Sequence, residues 1–180
     1  MNRIIEMFRE SAKELKSVRT LSTAAMLTAI TVILGFFAIV IGDFVKIQFY
    51  FLTVGISGLL FGPVVSGIVG GIGDILSFIV KPTGTFFPGF TLNAIISGVI
   101  YGVFMYKKPV SFWRIFAAKL TITIIVEMGL STYWLTILYG QGFWAILATR
   151  IIKCVVMLPI DSIMLYAVAS RVGAIFRKQR

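Results

Sequence analysis

Hydrophobic residues occur along this chain in long runs, which short polar or basic segments separate. The first run extends from Thr20 to Gly42 without a charged residue. An α-helix rises about 1.5 Å per residue, so a run of this length is sufficient to cross a hydrocarbon core of about 30 Å. We therefore predict transmembrane helix 1 over this segment.

The second run, Ile47 to Gly73, is also uncharged, but Gly62 and Pro63 interrupt it. A proline inside a helix removes a backbone hydrogen bond, and its ring clashes with the preceding turn. The pattern predicts two short helices joined at this point, each near or below the usual span of about 20 residues. A single kinked crossing is the alternative.

Three further helices complete the pattern. We predict helix 4 over Phe90 to Tyr106, helix 5 over Arg114 to Leu138, and helix 6 from the turn at 140–142 to about Arg171. The predicted fold class is an all-α integral membrane protein with six transmembrane helices. These helices form one domain, 20–171, between an N-terminal segment, 1–19, and a basic tail, 172–180.

The composition favours the same class. Hydrophobic residues make up 58% of the chain, charged residues make up 13%, and the mean hydropathy is +0.98. A soluble domain of 180 residues would have too little polar surface with this composition. The net charge of +10 would suggest nucleic-acid binding in a soluble protein. Here the basic residues flank apolar runs, so we expect them to orient the chain in a membrane and we expect no nucleic-acid partner.

The distribution of Lys and Arg predicts that orientation, because these residues in short flanking segments stay on the cytoplasmic side. With both termini inside, the cytoplasmic segments hold five at the N-terminus, four from Lys107 to Lys119 and four from Arg171 onward, which is thirteen of seventeen. We therefore predict cytoplasmic termini in a multi-pass protein of a prokaryotic plasma membrane. The N-terminal segment fits an amphipathic helix on the membrane surface, with a frayed tail as the alternative.

Two cations lie inside predicted helix 6. Arg150 and Lys153 are three residues apart on one face, too far from the helix end to serve as a cytoplasmic anchor. A charge at that depth costs at least a few kcal/mol unless it is paired or solvated, so the pair predicts a polar cavity that accepts an anionic ligand. Snorkelling to the outer interface is the alternative, and it is easier for Arg150 than for Lys153.

Three acidic residues also lie in predicted membrane segments. Asp74 is the best candidate for a hydrogen bond to the N–H edge of a ligand, since it lies toward the outer end of its helix. Asp161 follows Pro159, where a structural or partner-binding role is favoured. Glu127 has no assigned role.

Aromatic residues collect where the outer loops meet the helix ends. An aromatic belt at the membrane interface explains some of them. Next to Thr91, Asn93, Arg150 and Lys153, they would also form a pocket for a flat anionic heterocycle, and both interpretations hold together. The candidate aromatic residues of the pocket are Phe86, Phe87, Phe90, Trp134 and Tyr139.

The motifs that carry catalysis or metal binding are missing from the sequence. It contains no histidine, one cysteine, no nucleophile elbow and no phosphate-binding loop. We therefore expect no catalytic residue, no metal and no cofactor, and any energy that the protein needs has to come from a partner. Ala25 and Ala29, four residues apart, permit close helix contact, and by themselves they favour ordinary internal packing.

Several segments resemble the S components of energy-coupling factor (ECF) vitamin transporters, in particular the folate-specific branch. The resemblance covers residues 20 to 170. It depends on Phe87-Pro-Gly-Phe-Thr-Leu-Asn-Ala94, Ser97-Gly-Val-Ile-Tyr-Gly102, Trp134-Leu-Thr-Ile-Leu-Tyr-Gly-Gln-Gly-Phe143, Arg150-Ile-Ile-Lys153 and Met157-Leu-Pro-Ile160.

The resemblance implies a six-helix, non-catalytic membrane subunit that captures folate from outside in a pocket capped by the loop after helix 1. Release inward would require a transmembrane T component and two cytoplasmic ABC ATPases. It also implies that the Ala25 and Ala29 surface docks on the T component. A folate would stack its pterin on the aromatic residues, offer its N–H edge to Asp74 or Asn93, and place its carboxylates near Arg150, Lys153 or Lys46.

Two alternatives remain open from the sequence. The chain is an S component for another vitamin, such as riboflavin or pantothenate, or it belongs to a different class as a membrane-embedded enzyme or a stand-alone secondary transporter.

Overall fold

The computed structural model describes residues 2–37, 39–41, 45–82, 85–140 and 142–178, and the side chains of 4–37, 48–82, 85–140 and 142–174. Helices dominate the described chain. Its elements are α1 Asn2–Glu14, α2 Val18–Phe36, β1 Ile39–Ile41, β2 Val45–Ile47, α3 Phe51–Phe61, α4 Pro63–Val80, α5 Pro88–Met105, α6 Phe112–Ile122, a π-helical segment Thr123–Leu130, α7 Ser131–Tyr139 and α8 Phe143–Lys178.

Six helical passes cross the bundle in alternating directions: α2, α3, α4, α5, the continuous α6–π–α7 helix, and α8. Five of them are long and apolar enough to cross a membrane, and α3 is a shorter apolar helix of 11 residues. The predicted all-α membrane fold is thus confirmed. Because the number of passes is even, α1 and the end of α8 lie at the same end of the bundle. Which side of the membrane that end faces stays a prediction.

We name the two ends of the bundle after their residues. The basic end carries the N-terminal helix α1, Lys107, Lys108 and the end of α8. The aromatic end carries Phe86, Phe87, Trp134 and the first turn of α8.

The predicted division between the second and third helices is confirmed. Gly62 has a φ of +86°, a conformation that favours glycine, and Pro63 occupies the first turn of α4, where its missing N–H costs nothing. The two helices return antiparallel, since the Ser66 hydroxyl donates a hydrogen bond to the Val54 carbonyl at 2.7 Å.

Helix α2 ends at Phe36, six residues before the predicted end at Gly42. A short antiparallel hairpin of β1 and β2 follows, in which Ile39 pairs with Ile47 and Ile41 with Val45. These residues are β-branched, and such side chains favour extended backbone over helix. The prediction used apolarity alone, so it wrongly included strand β1 in transmembrane helix 1.

Close backbone contact between α4 and α5 depends on small residues. A Cβ added to Gly98 would lie 2.4 Å from the Ser66 carbonyl oxygen, and one added to Gly102 would lie 2.4 Å from the Pro63 backbone. A Cβ on Gly70 would similarly lie 2.6 Å from the Ala94 oxygen. The two helices therefore approach at a distance that any larger side chain would prevent.

Helix α1 confirms that the N-terminal segment is helical. Its Ser11 side chain is fully buried against the α3–α4 junction, and Glu10 pairs with Lys107 at 3.0 Å. The other end of the chain is helical as well, because α8 continues through the predicted tail to Lys178. At 36 residues α8 is about 54 Å long, and Pro159 lies inside it.

Candidate functional site

A polar cluster joins α5 to α7 near the aromatic end. The Asn93 amide donates a hydrogen bond to the Ser131 hydroxyl at 2.9 Å, and the Trp134 indole N–H donates to the Asn93 carbonyl oxygen at 3.2 Å. Asn93 is buried, so these bonds satisfy a polar group that would otherwise be costly to place in the bundle. Asn93 therefore fixes the plane of the Trp134 ring.

An aromatic wall lies directly beside this cluster. The rings of Phe87 and Trp134 are 5.5 Å apart, and Phe90 meets Phe87 edge-on at 6.0 Å. Gly89 lies beneath these rings, since an added Cβ would come within 2.6 Å of Phe87 and 2.7 Å of Trp134. Tilted and edge-on contacts of this kind are typical of packed aromatic side chains, and they hold the three rings in fixed positions at this end of the bundle.

A second polar feature lies between α4 and α5. The Thr91 hydroxyl donates a hydrogen bond to the Asp74 carboxylate at 2.8 Å. Asp74 also lines a narrow cleft, whose other residues are Thr31, Gly35, Gln48, Tyr50 and Ser77.

Arg150 lies seven residues after the start of α8, which corresponds to about 10 Å along the helix axis. The residue is 7% exposed, and its Nε has no hydrogen-bond partner among the described residues. An unpaired guanidinium in a buried position is costly, and a ligand carboxylate would satisfy it with paired N–H donors.

Four charged residues form a buried chain of ion pairs across α6, the π-helical segment and α8. Lys119 lies 2.8 Å from Asp161 and 2.9 Å from Glu127, and Glu127 lies 3.3 Å from Lys153. We call these four residues the charge chain. Lys153, which the sequence placed in a ligand cavity, therefore has a protein partner.

The π-helical segment brings the charge chain into contact. In a regular α-helix a residue eight positions from Lys119 lies about 80° around the axis from it. The wider π turns of Thr123–Leu130 reduce the rotation per residue, so Glu127 returns toward the face of Lys119. The π geometry is thus part of how Glu127 contacts Lys119 and Lys153 together.

The structure corrects the predicted topology at Lys119. Counting it among the cytoplasmic flanking residues was wrong, because it is buried within α6. The sequence did contain a signal. Lys119 and Glu127 are eight residues apart, and so are Lys153 and Asp161. On antiparallel helices that equal spacing places each cation opposite an anion.

The remaining predicted site residues lie farther from the charge chain. Phe86 is partly exposed and contacts Phe78 at 5.1 Å, and Tyr139 is partly exposed at the end of α7. Lys46 stands in β2, but its side chain lies outside the described residues. Its predicted contact with a ligand carboxylate therefore stays a prediction.

Ala25 and Ala29 lie on the outer surface of α2 and are exposed. Internal packing, the interpretation that the residue pattern alone favoured, does not describe these two positions. The surface around them is apolar, with Met26, Ile30 and Ile33 also exposed.

Known proteins are similar to this chain over most of its length. The family described as "ECF transporter, substrate-specific component" matches residues 19–169. A protein of Clostridium novyi (strain NT) named folate transporter FolT is 38% identical over 152 residues, which are 84% of this chain and 88% of the relative. A folate transporter FolT of Leuconostoc mesenteroides subsp. mesenteroides is 31% identical over 144 residues, 76% of this chain and 77% of the relative. A solved structure titled "Crystal structure of FolT bound with folic acid" matches with a TM-score of 0.80 and 34% identity, and the match covers 86% of this chain and 95% of that one.

Proposed function

Since this chain belongs to the family of ECF transporter substrate-specific components, we propose that it is the folate-binding subunit of such a transporter. Two relatives named folate transporter and a structural neighbour bound with folic acid support this ligand. The observation in this chain that carries the proposal is the buried Arg150, whose Nε lacks a partner among the described residues. It lies seven residues into α8, the helix that begins at the aromatic end.

Folate matches these features in chemistry. Its pterin is flat, so it stacks on the wall formed by Phe87, Phe90 and Trp134. Its amino and ring N–H groups are donors, and the Asp74 side chain provides acceptor oxygens. Its glutamate tail carries carboxylates, for which the Arg150 guanidinium is the matching group. Asn93 and Thr91 act mainly by orienting Trp134 and Asp74.

Two predicted cations are assigned different roles in this proposal. Lys153 is held by Glu127, so its attraction for a ligand is partly cancelled. Lys46 follows α2 in the hairpin, and we keep it as a candidate contact for the glutamate tail. Phe86 and Tyr139 are candidates for the rim of the pocket because they are partly exposed at the aromatic end.

The rest of the transport cycle comes from partners. In this proposal the aromatic end faces outward, both termini are cytoplasmic in a prokaryotic plasma membrane, and the chain itself has no enzymatic activity. A T component docks on the α2 surface at Ala25 and Ala29, and two ABC ATPases supply the energy. The exposure of both alanines fits such a contact.

Isothermal titration of the purified chain in detergent tests the ligand. The panel consists of folic acid, riboflavin and pantothenate, and we expect tight binding of folic acid alone. Tight riboflavin or pantothenate binding without folic acid binding would replace the proposed ligand by another vitamin.

Reconstituted vesicles test the mechanism. Vesicles that contain this chain alone should show no uptake of folate driven by a proton gradient, and uptake should appear when the T component and the ATPases are added with ATP. Gradient-driven uptake by the chain alone would identify a secondary transporter.

A further inference from the structure

The cations nearest the candidate pocket are arranged around one carboxylate. Glu127 contacts Lys153 and accepts a hydrogen bond from the Cys154 thiol at 3.7 Å. Arg150 precedes Lys153 by three residues and Cys154 by four on α8, so it lies one turn away on the same face of that helix. Glu127 also contacts Lys119 at 2.9 Å, and Lys119 in turn pairs with Asp161 at 2.8 Å. The three cations and two carboxylates of this group therefore leave a single positive charge.

The two ends of the charge chain differ in exposure. The side chains of Lys119 and Asp161 are 7% and 5% exposed, whereas those of Glu127 and Lys153 are 18% and 15% exposed. Packing thus closes the Lys119–Asp161 end of the charge chain, whereas the Glu127–Lys153 end is partly exposed. Ser131 lies four residues beyond Glu127, about one turn along the same helix, and contacts Asn93 of the pocket.

We propose that Glu127 is a specificity-determining residue, because by neutralising Lys153 it leaves Arg150 to bind one ligand carboxylate and so limits the anionic charge that the pocket accepts. This inference depends on the proposed folate function. Glu127 acts through Lys153 and Arg150, so it positions charge and is not itself assigned a ligand contact.

A pair of ligands that differ by one charge tests this inference. Folic acid carries two carboxylates, and pteroylglutamine has the same shape with one of them replaced by an amide. The measured quantity is the ratio of the two dissociation constants, pteroylglutamine over folic acid. A variant that changes only folding or pocket shape weakens both ligands and leaves this ratio unchanged.

Four proteins form a series in local charge. Glu127→Gln raises the charge by one, Lys153→Gln lowers it by one, and the double variant restores the wild-type value. We expect the ratio to rise about tenfold in Glu127→Gln, to fall about tenfold in Lys153→Gln, and to stay near the wild-type value in the double variant.

The matched control is Asp161→Asn, which removes a buried carboxylate from the closed end of the same charge chain. Its ratio should stay within about twofold of wild type. If Glu127→Gln does not fold, the inference is still tested by the other two variants, because the ratio of dissociation constants should be lower in Lys153→Gln than in the double variant.

The outcomes separate this inference from the proposed function. If the wild type binds neither pteridine ligand, the proposed function fails. If it binds both and the ratio is equal in all four proteins, or is ordered differently, the role of Glu127 is refuted while folate binding stands.

Discussion

The Ser11 hydroxyl donates a hydrogen bond to the Phe61 carbonyl at 2.7 Å, across 50 residues of chain. The same oxygen accepts hydrogen bonds from the backbone N–H groups of Val64 and Val65, at 3.0 and 3.4 Å. One buried side chain therefore caps the beginning of α4, closes the end of α3 and attaches α1 to the bundle.

We expect Ser11→Ala to lower the free energy of unfolding by about 1–3 kcal/mol, since buried backbone groups lose their partner. Thermal unfolding in detergent measures the loss. Ser22→Ala, at an exposed position of α2, is the control and should change stability little. Equal stability of both variants would show that water satisfies the junction as well as Ser11 does.

The contact between α4 and α5 predicts a steric effect. Gly98→Ala places a methyl group 2.4 Å from the Ser66 carbonyl, so we expect a loss of about 1–3 kcal/mol in unfolding free energy. Gly129→Ala is the matched control, because its added Cβ meets its nearest neighbour at 3.5 Å, an ordinary contact. A loss of equal size in both variants would argue against tight packing as the cause.

Lys119 connects two carboxylates, and its removal leaves Asp161 with a buried, unpaired charge. We expect Lys119→Met to lower the free energy of unfolding by about 3–5 kcal/mol. Lys119→Met combined with Asp161→Leu removes both charges, and Glu127 keeps Lys153 as its partner. The double variant should recover most of the loss in the same unfolding measurement, and failure to recover would show that packing around Lys119 dominates.

We expect replacement of Arg150 to raise the stability of the ligand-free protein and to weaken ligand binding. Arg150→Met removes a buried charge without an ion-pair partner among the described residues, so the ligand-free protein should become more stable. Folate binding should weaken by about 2 kcal/mol or more, roughly thirtyfold in dissociation constant.

Calorimetric titration and thermal unfolding measure the two effects of Arg150→Met. Arg171→Met, at an exposed position of the same helix, should change neither. Unchanged affinity in Arg150→Met would mean that this guanidinium does not meet the ligand.

The α2 surface predicts a separation of binding from transport. Ala25→Trp or Ala29→Trp adds bulk to an exposed face, so folate binding should be retained and uptake by the complete transporter should be lost. Ile163→Trp, at an exposed position of α8, should affect neither measurement. Loss of binding in the alanine variants would place them in the internal packing instead.

Local chemistry made much of the fold predictable. Gly62 and Pro63 divide α3 from α4 because their backbone preferences act without help from the rest of the chain. The end of α2 was less predictable, because Ile39 to Ile41 are as apolar as a transmembrane helix and differ from one mainly in β-branching.

The site was predictable in its residue types and less so in its pairings. Arg150 and Lys153 are conspicuous in an apolar helix, but the sequence does not show that Glu127 takes Lys153 as its partner. Lys119 follows a basic segment closely, so its position suggested a flanking residue. Its burial depends on Asp161, 42 residues later in the chain, and such contacts are set by tertiary structure.

The charge chain also has a mechanical consequence. Sliding the α6–π–α7 helix along α8 by one turn, about 5.4 Å, would separate Lys119 from Asp161 and Glu127 from Lys153 at the same time. Each separation would leave buried charges without a partner, which costs a large amount of free energy. The ion pairs therefore hold the two helices in a single register. Any piston-like displacement between them is therefore disfavoured, and a movement that opens the pocket has to carry them together as one piece.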